Sequence, residues 1–325
     1  MRLAARDGLA RKIAETPAVG QGMAVNRIAV LSHFGVDEFF QHCVNALMLG
    51  GIYALLGIGL TLIFGIMRVV NFTHGELYSF GAYMMFALVM LLHLDFFLSL
   101  ALAMALGIAL GAAIELALLR KLRGADIDTT MLVMIGAWIA MQNLEQFIWS
   151  GVAKSIKTPF PSAPLVLGGL SVAWSRLFVF VVALALIVGA YALVDRTRLG
   201  RAMRATFQDR DAAKLMGVDI DRVYLWTFAL GSGLAASAGA LLGPIFVVTP
   251  GMGDLAALKA FAVVILGGLG SIAGATIGGF LLAFIEEMGA GYVSSGYRDA
   301  MGFLLIILVL ILRPTGLFSR KERIG

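Results

Sequence analysis

The sequence is short of charge. Asp, Glu, Lys and Arg make up only 14% of its 325 residues, against the roughly 25% usual in soluble domains. Cysteine is nearly absent. Cys43 stands alone, which excludes an intrachain disulfide framework and a thiolate metal cluster. The histidines, His33, His42, His74 and His93, never fall at ligand spacing such as H-E-x-x-H, so metal catalysis is not expected. No G-x-x-x-x-G-K-[ST] stretch occurs, so the chain carries no phosphate loop and is not expected to hydrolyse ATP or hold a cofactor. Residues 1–38 lack a long apolar run. Their longest, Ile28 to Leu31, is shorter than the roughly 7 to 15 residue core of a secretory signal.

What the chain has in abundance is apolar surface: 60% of residues are hydrophobic and the mean hydropathy is +0.92. A soluble fold cannot hide that much, and the apolar residues come in long uncharged runs. No Asp, Glu, Lys or Arg occurs between Glu38 and Arg68, from Leu177 to Val194, from Val223 to Gly253, or from Ala260 to Ile285. Phe96 to Leu119 contains only Glu115, and Met131 to Trp149 only Glu145. With the shorter runs Leu77 to Leu92 and Met301 to Leu312, about eight crossings or near-crossings of a bilayer follow, each needing about 20 apolar residues when complete. The expected fold is an all-α polytopic bundle, with residues 39–318 as the membrane domain, 1–38 as an extension and 319–325 as a tail.

Basic residues set the orientation. Arg120, Lys121 and Arg123 follow one span; Arg196, Arg198, Arg201, Arg204, Arg210, Lys214 and Arg222 fill segment 195–222; Arg313, Arg320, Lys321 and Arg323 close the chain. All three clusters are expected on the cytoplasmic side. The net charge of +5 therefore reads as topology, not as a nucleic-acid surface. Ends on one side at Arg222 and Arg313 require an even number of crossings, yet three apolar segments lie between. Either Ala256 to Met288 is a re-entrant element turning at Gly267, Gly268, Gly270 and Ser271 beside a solute path, or it is one long tilted helix with glycines for packing.

Polar residues inside the runs are few. Gln142, Glu145 and Gln146 share a helix face, His42 and Asn45 share another, and Glu115 lies close enough to Arg120 and Lys121 to reach toward headgroups. Such groups line a path or bond helices together, and both roles stay open for Glu145. Asn71, Phe72, Thr73, His74, Gly75 and Glu76 form a polar knot between apolar runs. His74 and Glu76 at i, i+2 do not share a helix face, so a cap for a half-helix explains the knot better than a metal site. Small residues four apart, Gly231, Ala235, Gly239 and Gly243, Gly270, Gly274 and Gly278, and Gly107 with Gly111, let helix backbones approach closely. In segment 195–222, Gln208 or Asp209 can open a short helix through Ala212, Ala213, Leu215 and Met216 that stops at Gly217. That helix either rests on headgroups or fits a groove on another protein.

These motifs carry a resemblance. Gly51-Ile-Tyr-Ala-Leu-Leu-Gly-Ile-Gly-Leu-Thr-Leu-Ile-Phe-Gly65 followed by Val70-Asn-Phe-Thr-His-Gly-Glu76 resembles the LivH-type permease of branched-chain amino acid ABC importers. Asp211-Ala-Ala-Lys-Leu-Met-Gly217 is similar to the EAA motif of importer permeases, with Asp in place of the leading Glu. Gly267-Gly-Leu-Gly-Ser-Ile-Ala-Gly274 is similar to the family's glycine-rich segment. The resemblance runs from about residue 37 to the C-terminus. It implies a bacterial inner-membrane machine of paired homologous permeases, this chain with a LivM-like partner, two cytoplasmic ABC ATPases and a periplasmic binding protein. Asp211, Ala212, Ala213, Leu215, Met216 and Gly217 would form the helix that docks on the ATPase. Asn71, His74, Glu76 and Glu145 remain candidates for a pathway or a helix break. Related permeases serve urea, amides or aromatic acids, and the apolar interior suits a neutral or zwitterionic solute. Two other classes compete: a secondary transporter using Glu145 or Glu115 as proton carrier, and a membrane enzyme, for which no nucleophile and base assemble.

Overall fold

The computed structural model describes residues 17–167 and 169–318, so residues 1–16 of the extension and the tail 319–325 lie outside the described residues. The long uncharged runs form helices because lipid offers no partner for backbone amides and carbonyls. In chain order these are α1 (Pro17–Met67), α2 (His74–Phe86) continued by a π turn (Ala87–Leu91), and α3 (Phe96–Ala117) continued by a 3-10 turn (Leu119–Leu122). Next come α4 (Ile127–Trp149), a hairpin of β1 (Leu165–Leu167) and β2 (Leu170–Val172), and α5 (Trp174–Arg196). Then follow α6 (Arg198–Gln208), α7 (Arg210–Leu215), α8 (Ile220–Leu242), α9 (Met252–Gly267), α10 (Ile272–Tyr292) and α11 (Arg298–Leu312). Among the described residues, seven segments are long and apolar enough to cross a membrane: Gly35–Met67, Phe96–Leu122, Ile127–Trp149, Trp174–Arg196, Ile220–Leu242, Ile272–Tyr292 and Ser295–Leu312.

Two helices fall short. At 13 and 16 residues, α2 and α9 reach about 20 and 24 Å, less than the roughly 30 Å of a hydrocarbon layer. The Ala256 to Met288 stretch is accordingly not one tilted helix but is broken at the glycines where the re-entrant alternative places its turn. It is the half-helix α9 and the full-length α10, separated at Gly268 (φ +91) to Ser271, whose side chain accepts a hydrogen bond from Gly274 N.

One end of the bundle gathers the basic clusters at Arg120–Arg123 and in segment 195–222. Arg123 pairs with Asp221, joining the ends of α3 and α8; Gly270 meets Gly65 and Phe207; and Leu317 N donates to Leu266 O at 2.9 Å. The turn at Gly267–Ser271 therefore sits at this basic end and not beside the polar knot, because α9 runs its whole length before reversing. Lys154 and Val248 pair across the opposite end.

α1 and α8 form the centre, crossing where a Cβ on Gly59 would stand 2.7 Å from Gly231 O and one on Gly231 2.7 Å from Gly59 O. That reciprocity continues in the half-helices, where Gly75 faces Gly253 O and Gly253 faces Gly75 O. Antiparallel α10 lies along α1, with Gly279 against Ala54 and Gly291 against His42; antiparallel α3 lies along α8, with Gly111 against Ser232 and Gly107 against Ala236. Exchanging α1 with α8, α2 with α9, and α3 with α10 thus reproduces the packing, as an inverted repeat about an axis in the membrane plane does. Small residues at each crossing make the close approach possible.

Candidate functional site

The two half-helices begin inside the bundle. His74 Nε2 donates to Leu56 O at 3.0 Å, and Leu56 lies eleven residues before Met67, which is roughly 16 Å from the basic end of α1 and about halfway through a bilayer. The reading of residues 71–76 as a helix start inside the bundle agrees with this geometry. Asn71 Oδ1 accepts from Thr73 N at 3.1 Å and Thr73 Oγ1 at 2.6 Å, so the turn entering α2 is closed by its own side chains. Asn71, His74 and Glu76 are all buried.

Each half-helix carries a carboxylate in its first turn, Glu76 in α2 and Asp254 in α9, where the positive helix end favours negative charge. The indole N–H of Trp138 in α4 is 3.2 Å from Glu76 Oε1 and 3.2 Å from Asp254 Oδ1, so one donor holds both termini together. Gln142 Nε2 donates to Asp254 Oδ2 at 2.9 Å, and Ser79 Oγ donates to Glu145 Oε2 at 2.5 Å. Trp138, Gln142 and Glu145 line one stripe of α4, while Gln146 is exposed. Glu76 Oε2 and Glu145 Oε1 are buried without a hydrogen-bond partner among the described residues. The structure thus brings Glu76 and Glu145 into one polar cluster and leaves Gly267, Gly268, Gly270 and Ser271 at the basic end.

Segment 195–222 folds into two short helices. Thr197 caps α6 by accepting from Gly200 N at 3.0 Å, and Asp209 caps α7 by accepting from Asp211 N and Ala212 N at 2.9 Å each. Gly217 ends the segment at φ +85, a conformation that a side chain would strain. Leu215 and Met216 are 88% and 85% exposed, while Ala213 is buried against the core. Ala213 therefore leaves the set of docking candidates, since its methyl faces its own chain. Beside α7 a cavity of about 600 Å³ opens between Arg68, Arg123, Thr130, Asp209 and Tyr224.

A family model described as "Branched-chain amino acid transport system / permease component" matches residues 43–312. The chain belongs to this permease family. It is 36% identical over 300 residues to the high-affinity branched-chain amino acid transport system permease protein BraD of Pseudomonas aeruginosa, covering 88% of this chain and 98% of that one. The permease is 34% identical over 298 residues to LivH of Escherichia coli, covering 87% and 96%, and 30% identical over 293 residues to a probable LivH of Methanocaldococcus jannaschii, covering 84% and 90%. No solved structure matches it.

Sequence reasoning missed a second charged network in the permease. Lys259 of α9 lies 2.6 Å from Glu286 Oε2 of α10 and 2.8 Å from Asp299 Oδ1 of α11, and Tyr53 of α1 donates to Glu286 at 2.7 Å. Next to it, Glu287 accepts from Arg298 at 2.8 Å and from Asn45 at 3.3 Å. Glu115 does not reach toward headgroups. It is buried and ion-paired with Arg123, a residue that belongs to the same basic cluster as Arg120 and Lys121 but points inward.

Proposed function

We propose that this chain is the translocation subunit of a binding-protein-dependent ABC importer for branched-chain or other neutral amino acids, seated in the bacterial inner membrane. Its partners are a second, LivM-like permease, two cytoplasmic ATPases and a periplasmic binding protein. The observation that carries this reading is the near full-length likeness to permeases whose names specify branched-chain amino acid transport. The short helix between Asp209 and Gly217 supports it physically. A helix capped at Asp209 and stopped at Gly217 presents Leu215 and Met216 to water, an unfavourable exposure that a groove on another protein would relieve.

In this reading the basic end faces the cytoplasm. The polar cluster of Glu76, Trp138, Glu145 and Asp254 then lies between the outer and inner openings, where half-helix termini meet solutes in transporters built from inverted repeats. The test is co-expression with the candidate ATPases, binding protein and second permease, followed by ATP-driven uptake of radiolabelled L-leucine into proteoliposomes. Leu215→Asp should abolish ATPase co-purification and uptake together. Full ATPase capture and full uptake by that variant would refute the docking role, and uptake of urea instead of leucine by the wild-type complex would refute the substrate class.

A further inference from the structure

At the end opposite the basic loops, a cleft of about 230 Å³ opens between residues 45–52 of α1, the beginning of α5 and the ends of α8 and α10. Its size is below the roughly 300–1,000 Å³ of pockets for drug-sized ligands, and so suits a solute as small as an amino acid. Its lining is part polar and part apolar. Glu287 is 7% exposed and is held by Arg298 and Asn45, with His42 Nδ1 at 3.5 Å. Arg176 donates to Asn45 Oδ1 at 3.1 Å, but among the described residues no carboxylate lies within 4.0 Å of its guanidinium. The cleft therefore holds one cation without a counter-ion a short step from a buried carboxylate. The same lining includes Leu49, Ile52, Val179 and Phe246.

We propose that this cleft is an amino-acid binding site on the outer side of the permease. The substrate carboxylate pairs with Arg176, whose planar fork suits a bidentate contact. The substrate ammonium is received by Glu287, and the branched side chain lies on Leu49, Ile52 and Val179. Each element has a separate reason. An unpaired guanidinium in a partly buried wall calls for an anion, Glu287 keeps acceptor capacity for a further N–H, and the apolar wall gains only if a hydrocarbon group covers it. A urea or amide would leave Arg176 without its anion, so the arrangement selects zwitterions. This inference rests on the import reading above and deepens it by placing selection in the permease as well as in the binding protein.

The test measures equilibrium binding of tritiated L-leucine to the whole importer complex, without its binding protein, in phosphatidylglycerol nanodiscs. Saturable binding is expected, competed by L-isoleucine and L-valine but not by leucinamide, which lacks the carboxylate, or 4-methylpentanoate, which lacks the ammonium. Arg176→Gln should weaken binding at least about tenfold, as loss of a charge-assisted hydrogen bond implies. Val179→Trp, which fills the apolar wall and leaves every charge in place, should weaken leucine more than alanine. Equal competition by leucinamide and 4-methylpentanoate, or unchanged leucine affinity in both variants, would overturn the site. So would displacement of leucine by added phosphatidylethanolamine, which would assign the cleft to a lipid headgroup. If the wild-type complex imports leucine and these binding results fail, the cleft assignment falls alone; if it imports no leucine, the import reading falls first.

Discussion

Removing Lys259 should expose how costly a charge is inside this bundle. Its ammonium is 13% exposed and bridges Glu286, 2% exposed, to Asp299, 48% exposed. In Lys259→Met the Glu286 carboxylate keeps only the Tyr53 hydroxyl, and breaking one side of a buried pair costs about 3 to 5 kcal/mol. Loss of the ammonium from 4.9 Å above the Tyr53 ring adds to this cost, by about 1 kcal/mol. Glu286→Gln should cost less, about 1 to 3 kcal/mol, because Lys259 retains Asp299 and the amide oxygen still accepts from Tyr53. Combining Lys259→Met with Glu286→Gln removes both buried charges and should recover most of the loss. The assay is reversible SDS-induced unfolding of the purified permease in mixed micelles. A double variant as unstable as Lys259→Met, or a Glu286→Gln variant less stable than Lys259→Met, would refute the argument that an uncompensated carboxylate sets the cost.

Other consequences can be measured the same way. Gly59→Ala and Gly231→Ala should each destabilise by about 1 to 3 kcal/mol, since the added methyl meets a backbone carbonyl that cannot retreat; Gly189→Ala, with open space around it, should be neutral or slightly stabilising. Trp138→Phe removes the donor shared by Glu76 and Asp254 and should cost about 1 to 3 kcal/mol, with leucine uptake falling alongside. Asp209→Ala should weaken α7 by about 1 kcal/mol and reduce ATPase co-purification less than Leu215→Asp does, because it loosens the helix without altering the docking residues.

The sequence made the spanning helices legible because hydrocarbon demands long uncharged runs, and it marked α7 because Asp209 and Gly217 are strong start and stop signals. Residues 71–76 were readable for a related reason: six mostly polar positions between apolar runs have no place in lipid. Asp254 and Lys259 escaped notice because a span was delimited by the charges at its edges, so both looked like flanks. They are the first turns of a helix that starts inside the protein, and their partners Trp138 and Glu286 stand far away in the chain. Spacing rules reach three or four residues and say nothing about such pairs. Glu115 shows the same limit in reverse, since its neighbours Arg120 and Lys121 suggested a surface position while the inward turn of Arg123 decided a buried one.

The inverted repeat relates the two openings as well as the helices. The cavity beside α7 is framed by the last turn of α1, the end of α3, the start of α4, the end of α6 and the first turns of α8; the cleft at Arg176 is framed by the end of α8, the end of α10, the start of α11, the start of α5 and residues 45–52 of α1. Leaving aside α5, α6 and α7, swapping the halves turns one list into the other. A rearrangement that widens one mouth, applied to the sister half, widens the other, so a single mechanical motion run forward or backward suffices to face either side of the membrane.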